Sequence, residues 1–144
     1  MAALYLQVRA GPLHLMLDAG AIHEVLTREA ADPADAADTR QAQWRGDVLP
    51  VIPLAAFLGF PGDAPAVGVV YALAAGLPPV MFGIDEVIGL RAAGTASWRS
   101  TPRLPGAAAG LFDAVYIDAE RGLLAYRLRD ALEPSRFGLL DAGA

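Results

Sequence analysis

The 144-residue chain predicts a mainly β protein: two small barrels of about five short strands each, packed together, with only short helices. Three observations carry that prediction. Apolar and polar residues alternate over short runs, the period of a half-buried strand. Glycine and proline clusters punctuate the runs at short intervals, as turns between strands do. The chain also echoes itself. Ile22-His23-Glu24-Val25-Leu26 is similar to Ile84-Asp85-Glu86-Val87-Ile88, with Arg28 and Arg91 soon after, and VLPVIPLAAFL is similar to GLLAYRLRDAL at 122–132, which suggests two halves of related layout.

Residues 3–10 alternate, with Leu4, Leu6 and Val8 on one side and Tyr5, Gln7 and Arg9 on the other, and predict the first strand. Gly11-Pro12 turns the chain into a second strand, LHLML, ending at Asp18. A short turn then feeds a third strand through Ile22, Glu24 and Leu26. Residues 29–43 carry no apolar residue larger than alanine and predict a polar, solvated loop. Trp44-Arg45-Gly46-Asp47 reads as a turn, and Val48, Val51 and Ile52 as a buried strand. Pro53 pre-sets φ for a short helix over Leu54–Leu58 that Gly59 stops.

Residues 60–66 are a turn-rich connector. From Ala64 to Ile84 the chain runs 21 residues without a charge, long enough on paper for a membrane span. Its prolines and glycines instead predict two strands, about 67–74 and 80–85, joined by an AAGLPP turn, with no direct membrane insertion. EVIGLRA gives another strand, and 92–109 a small-residue, proline-rich stretch holding Trp98, Arg99 and Arg103. The last part predicts a hairpin turning at Glu120-Arg121-Gly122, then a short helix from Leu128. The whole reads as a single domain over 1–144, with a C-terminal tail at 134–144 in which Phe137, Leu139 and Leu140 are candidates to dock.

Composition narrows the chemistry. The chain has no cysteine, lysine or asparagine, and all 11 basic residues are arginine; disulfides, thiolate chemistry, a Schiff-base lysine and a P-loop lysine are excluded. A net charge of −5 argues against a nucleic-acid surface. The N-terminus shows no basic region followed by a long apolar core, so the expected location is cytoplasmic. His14 and His23 are the only histidines, the serines lie outside any G-x-S-x-G elbow, and Asp32, Asp35 and Asp38 lack the pattern of an EF-hand. No catalytic, cofactor or metal constellation emerges, and the chain reads as a non-enzyme. What remains is interaction chemistry. Arg45 offers five donors either to a partner carboxylate or to an intramolecular ion pair, and Trp44 either fills the core or anchors an interface.

The ordered set AIHEVL, RGDVLPVIPL, VMFGIDEVIGL and GLLAYRLRDAL, after an alternating strand pair, resembles the CheW family of chemotaxis adaptors over about residues 3–133. The resemblance implies two five-stranded β-barrel subdomains on a shared apolar interface, with no catalysis and no cofactor. It implies an adaptor that bridges the cytoplasmic tips of chemoreceptors to the regulatory domain of a CheA-type histidine kinase in bacterial chemotaxis or a related pathway. Carried over residue by residue, it implies receptor-side contacts at Arg45, Ile22 and Glu24, with Trp44 beside them. The chain departs from the family pattern at Gln43-Trp44, at Pro53 where an aspartate is usual, and at Met81 where a small glycine is common. The alternative is a β-barrel that binds a small molecule in the cleft between its lobes, lined by Trp44 or Trp98.

Overall fold

The computed structural model describes residues 2–27, 41–60, 62 and 64–139. The chain is mainly β, in two sheets. β1 (Ala3–Ala10), β2 (Leu13–Asp18), β8 (Glu86–Ala93), β9 (Trp98–Arg99), β10 (Phe112–Asp118) and β11 (Leu123–Leu128) form sheet I, in the order β8-β1-β2-β11-β10-β9. β3 (Ile22–Thr27), β4 (Gln41–Trp44), β5 (Asp47–Pro53), β6 (Val67–Tyr71) and β7 (Val80–Ile84) form sheet II, in the order β3-β6-β7-β5-β4. The chain therefore lays down two strands of sheet I, builds all of sheet II, and returns to finish sheet I. The lobes are not the two sequence halves that the internal echo suggests. Neighbouring hairpins are antiparallel, but β2 with β11 and β5 with β7 are parallel pairs between distant segments.

Alternation directs one face of each sheet into a shared core. Leu6, Val8, Leu15 and Leu17 come from sheet I, and Ile52, Val69, Phe82 and Ile84 from sheet II. The short helix α1 (Leu54–Phe57) follows Pro53 as expected and adds fully buried Leu54. Each such side chain contributes roughly 1.5–3 kcal/mol on burial. The uncharged stretch is indeed split into β6 and β7, and among the described residues no helix is long and apolar enough to cross a membrane.

Two expectations change. Gln41–Gln43, read as the end of the polar loop, belong to β4, because pairing with β5 supplies the ladder that composition did not advertise. The remainder of that loop, 29–40, including Asp32, Asp35 and Asp38, lies outside the described residues, as do Arg28 and Leu140. The helix from Leu128 is not formed. Leu128 ends β11, Ala131 takes a left-handed φ of 53°, and the Leu132 amide donates to the Leu73 carbonyl at 3.0 Å. Leu128 and Leu132 are both buried, but by a turn that tucks the second under the core rather than by a helical stripe. Pro134 then opens a 3-10 turn to Phe137, whose ring packs on Phe57 and Phe82; the tail docks at least that far.

The second face of sheet I is not solvated. Gln7 and Asp118 are both buried, at 0% and 4% exposure. The Gln7 amide donates to Asp118 at 3.0 Å and contacts His14 Nδ1 at 3.2 Å, while Arg91 Nε donates to the Gln7 carbonyl oxygen at 3.0 Å. The Arg121 amide donates to Asp118 Oδ1 at 3.1 Å, with the guanidinium 3.5 Å from Oδ2. Every polar group of this network has a partner, the condition under which a buried network stabilises. Burial pushes the Asp118 carboxyl up, but the hydrogen bonds from Gln7 and the Arg121 amide, with the Arg121 and Arg91 charges, outweigh it and hold the carboxyl below the usual range. Burial, then the Arg121 and Arg9 charges, hold His14 below its ordinary value.

A carboxyl depressed by folding stabilises the protein fully above its unfolded pKa, about 3.9, and the contribution is lost as pH falls through the lower folded value. Asp118→Asn, which keeps the shape but not the charge, is expected to cost about 1–3 kcal/mol at pH 7. That deficit is expected to shrink as urea unfolding is repeated at pH values from 5 down to 2.5. A deficit constant over the whole range contradicts this account of the network.

Candidate functional site

The site is built on the two edges of sheet II. β4 and β5 are joined by a two-residue turn in which Trp44 lies opposite Asp47 and Arg45 and Gly46 take φ values of 49° and 83°. Positive φ at both central positions is the type I′ geometry whose twist suits a tight hairpin. Glycine adopts it without strain; an arginine in the left-handed region costs roughly 1–2 kcal/mol. Arg45 is thus held at the hairpin tip in a backbone conformation its own chemistry disfavours.

At the opposite edge, β3 carries a bulge. Ile22 lies opposite Tyr71 and Glu24 opposite Val70, so His23 is an extra residue and the register shifts between them. The consequence is a change of face. Ile22 packs against the shared core with Tyr71, whereas Glu24 and Leu26 turn to the other face of sheet II. That face holds a second apolar cluster of Leu49, Val70 and Met81, with Leu26, Ala42, Trp44 and Val51 packed on it. Met81, at a position where the resemblance leads one to expect glycine, fills this cluster; Gly68, two residues along β6 from its partner Val70, leaves room, since a Cβ there would stand 2.7 Å from the Met81 sulfur.

Edges β3 and β4 then meet through side chains. Trp44 Nε1 donates to Glu24 Oε2, Arg45 Nε stands 4.0 Å from the same oxygen, and the Arg45 guanidinium carbon lies 4.8 Å from the Trp44 ring centroid. The His23 ring is 5.8 Å from that of Trp44. Sheet II is therefore curled until its first and last strands touch, closed by a tryptophan–glutamate hydrogen bond in place of a backbone ladder. The Arg45 side chain remains 68% exposed and that of Glu24 37%, so the ion pair is weak as a stabilising element while the guanidinium stays available to a partner.

Of the four residues singled out by sequence, Glu24, Trp44 and Arg45 converge at one point. Ile22 does not join them: it is half-buried on the far side of the bulge and anchors β3 to the shared core. Both readings of Trp44 hold at once, since its ring covers the second cluster and its N–H is engaged at the rim. His23, for which the sequence suggests no functional role, is an exposed residue whose ring lies tilted against that of Trp44 beside the site. His14 lies in the other sheet, so the two histidines do not form a pair. Trp98 is far from Trp44 in the topology and packs within sheet I, edge-on to Tyr5 at 4.9 Å and beneath Arg127 at 4.4 Å. The two tryptophans line no common cleft. A groove of about 560 Å3 lies instead beside β10, bounded by Ser100–Leu104 and lined by neither tryptophan.

One family model matches, and one solved structure shares the fold. The family model described as the CheW-like domain matches residues 4–129. Among solved structures, the fold is similar to the crystal structure of scaffolding protein TtCheW from Thermoanaerobacter tengcongensis, with a TM-score of 0.68 and 14% identity over 90% of each chain. No curated protein sequence matches.

Because glycine relieves the left-handed strain at position 45 and an exposed ion pair contributes at most about 1 kcal/mol, Arg45→Gly is expected to leave the melting temperature unchanged or to raise it by a few degrees. A fall of more than about 5 °C, a loss of over 1 kcal/mol for a domain of this size, would mark the arginine as a structural residue.

Proposed function

The chain belongs to the CheW-like domain family, a family of chemotaxis scaffolds, and from that membership we propose that it is a non-catalytic adaptor. It couples the cytoplasmic tip of a methyl-accepting chemoreceptor to the regulatory domain of a CheA-type histidine kinase, in bacterial chemotaxis or a related signalling pathway. It works in the cytoplasm, recruited to membrane-bound receptor arrays through its partners, and its chemistry is surface complementarity.

The observation that carries the receptor side of this reading is the Arg45 guanidinium. It stands exposed at a hairpin tip, on a support made rigid by Trp44 and Glu24, in a strained conformation that stability alone does not favour. A planar fork so displayed suits the carboxylates of an acidic partner helix, and the 4.0 Å separation from Glu24 lets a better-aligned partner carboxylate replace the internal one. Glu24 and Trp44 form the rest of the contact. Ile22 enters as the residue that fixes β3 beneath them.

Titration calorimetry of the full chain with the regulatory domain of each CheA-type kinase from the same genome is expected to find one that binds at micromolar affinity or tighter. Arg45→Ala is expected to leave that binding intact while weakening binding to the matching receptor tip by about tenfold or more, the loss of one charge-assisted contact. A folded protein that binds none of the kinases contradicts the adaptor reading. Equal loss on both sides contradicts the assignment of Arg45 to the receptor.

A further inference from the structure

The groove beside β10 has a composition that the adaptor function does not use. Its walls diverge because β9 pairs with β10 only at Val115 and Tyr116; beyond Arg99 the chain leaves the sheet edge through Ser100–Leu104 and returns at Phe112. Arg103 and Arg129 both line it from separate chain segments, both are exposed, and neither has an acidic partner within 4 Å among the described residues. The lining contains one carboxylate, Asp113, and it is already taken: Arg127 Nε donates to it at 2.7 Å. The groove is thus a locally positive site on a chain of net charge −5.

Two further features give it the makings of a ligand site. Thr101 Oγ1 is buried in the lining and has no hydrogen-bond partner in the protein, an exception to the near-universal pairing of buried polar atoms. Leu104 and Phe112 give the lining apolar surface continuous with the shared core. Two guanidinium forks without acidic partners and the apolar edges of Leu104 and Phe112 thus border one open depression of about 560 Å3.

We propose that this groove binds a small organic anion, a phosphate or carboxylate head on an apolar body. Arg103 and Arg129 pair with the head, and Leu104 and Phe112 hold the body. The site lies in sheet I, apart from the Glu24–Trp44–Arg45 cluster of sheet II, and the inference stands whether or not the adaptor reading does.

The test is an amide chemical-shift titration of the full chain, at fixed ionic strength, with phenyl phosphate, phenylacetate and the neutral 2-phenylethanol. At least one of the two anions is expected to bind tenfold or more tightly than the alcohol, with shifts concentrated at Ser100–Gly110 and Phe112–Asp113. The preference between phosphate and carboxylate then identifies the head group. Arg103→Gln and Arg129→Gln are each expected to weaken that anion by about tenfold. Equal binding of anion and alcohol, shifts scattered over all the arginines, or affinity untouched in both variants overturns the proposal. Should a variant fail to fold, the comparison of the three ligands on the unaltered chain decides alone.

Discussion

Phe82 has no exposed surface, and its ring meets Tyr71 of sheet II at 5.2 Å and Phe137 of the C-terminal turn at 5.6 Å. It lies in the larger of the two apolar clusters, to which both sheets contribute. The order of the chain enforces this. Sheet I takes its strands from both ends of the sequence, and sheet II is inserted between them. At the junction of β7 and β8, Asp85 stitches the two together: its carboxylate accepts from the Gly11 amide at 2.6 Å and its own amide donates to the Arg9 carbonyl at 2.9 Å. Such cross-bracing ties the end of sheet II to the first hairpin of sheet I.

Turning one face of each sheet into a common core leaves the other face to be dealt with, and the two sheets do so differently. Sheet I curls over a buried polar network around Gln7 and Asp118. Sheet II curls over a small apolar cluster and is closed by Trp44 and Glu24 across its edges. A side-chain closure leaves the edge strands short and irregular, which also protects them from pairing with other chains. It has a second consequence. The residues that close sheet II are at its rim, so the same contact that shapes the lobe displays Arg45 beside it. In the proposed function, structure and recognition are met by one cluster of side chains.

Much of this was legible in the sequence because the strands alternate cleanly and the turns carry glycine and proline. Trp44-Arg45-Gly46-Asp47 could be read as a turn for that reason, and Pro53 as the entry to a short helix. The less legible parts are those set by distant pairing. β4 is formed by a polar stretch that becomes a strand only against β5, and the parallel contacts of β2 with β11 and β5 with β7 have no local signature. The bulge at His23 was invisible to a period-two reading, and it is what parts Ile22 from Glu24. Alternation sets Gln7 on the side away from Leu6 and Val8, the side a half-buried strand gives to solvent. A hint against that was present in β2, where Met16 shares the face of His14: an apolar residue on the supposedly wet side signals a second covered face. The groove arginines gave no pattern at all, since Arg103 and Arg129 are brought together only by the path of the chain around β10.

An adaptor differs from a protein with one promiscuous surface in that its partners bind at the same time. In the proposed function the Arg45 cluster meets the receptor from a single rim of sheet II, and the kinase binds elsewhere on the molecule. The most direct measurement of that claim is sedimentation velocity on an equimolar mixture of this protein, the receptor tip fragment and the kinase regulatory domain. The account predicts a single boundary containing all three components, larger than either binary complex. Two binary complexes in competition, with no three-component species, would contradict it.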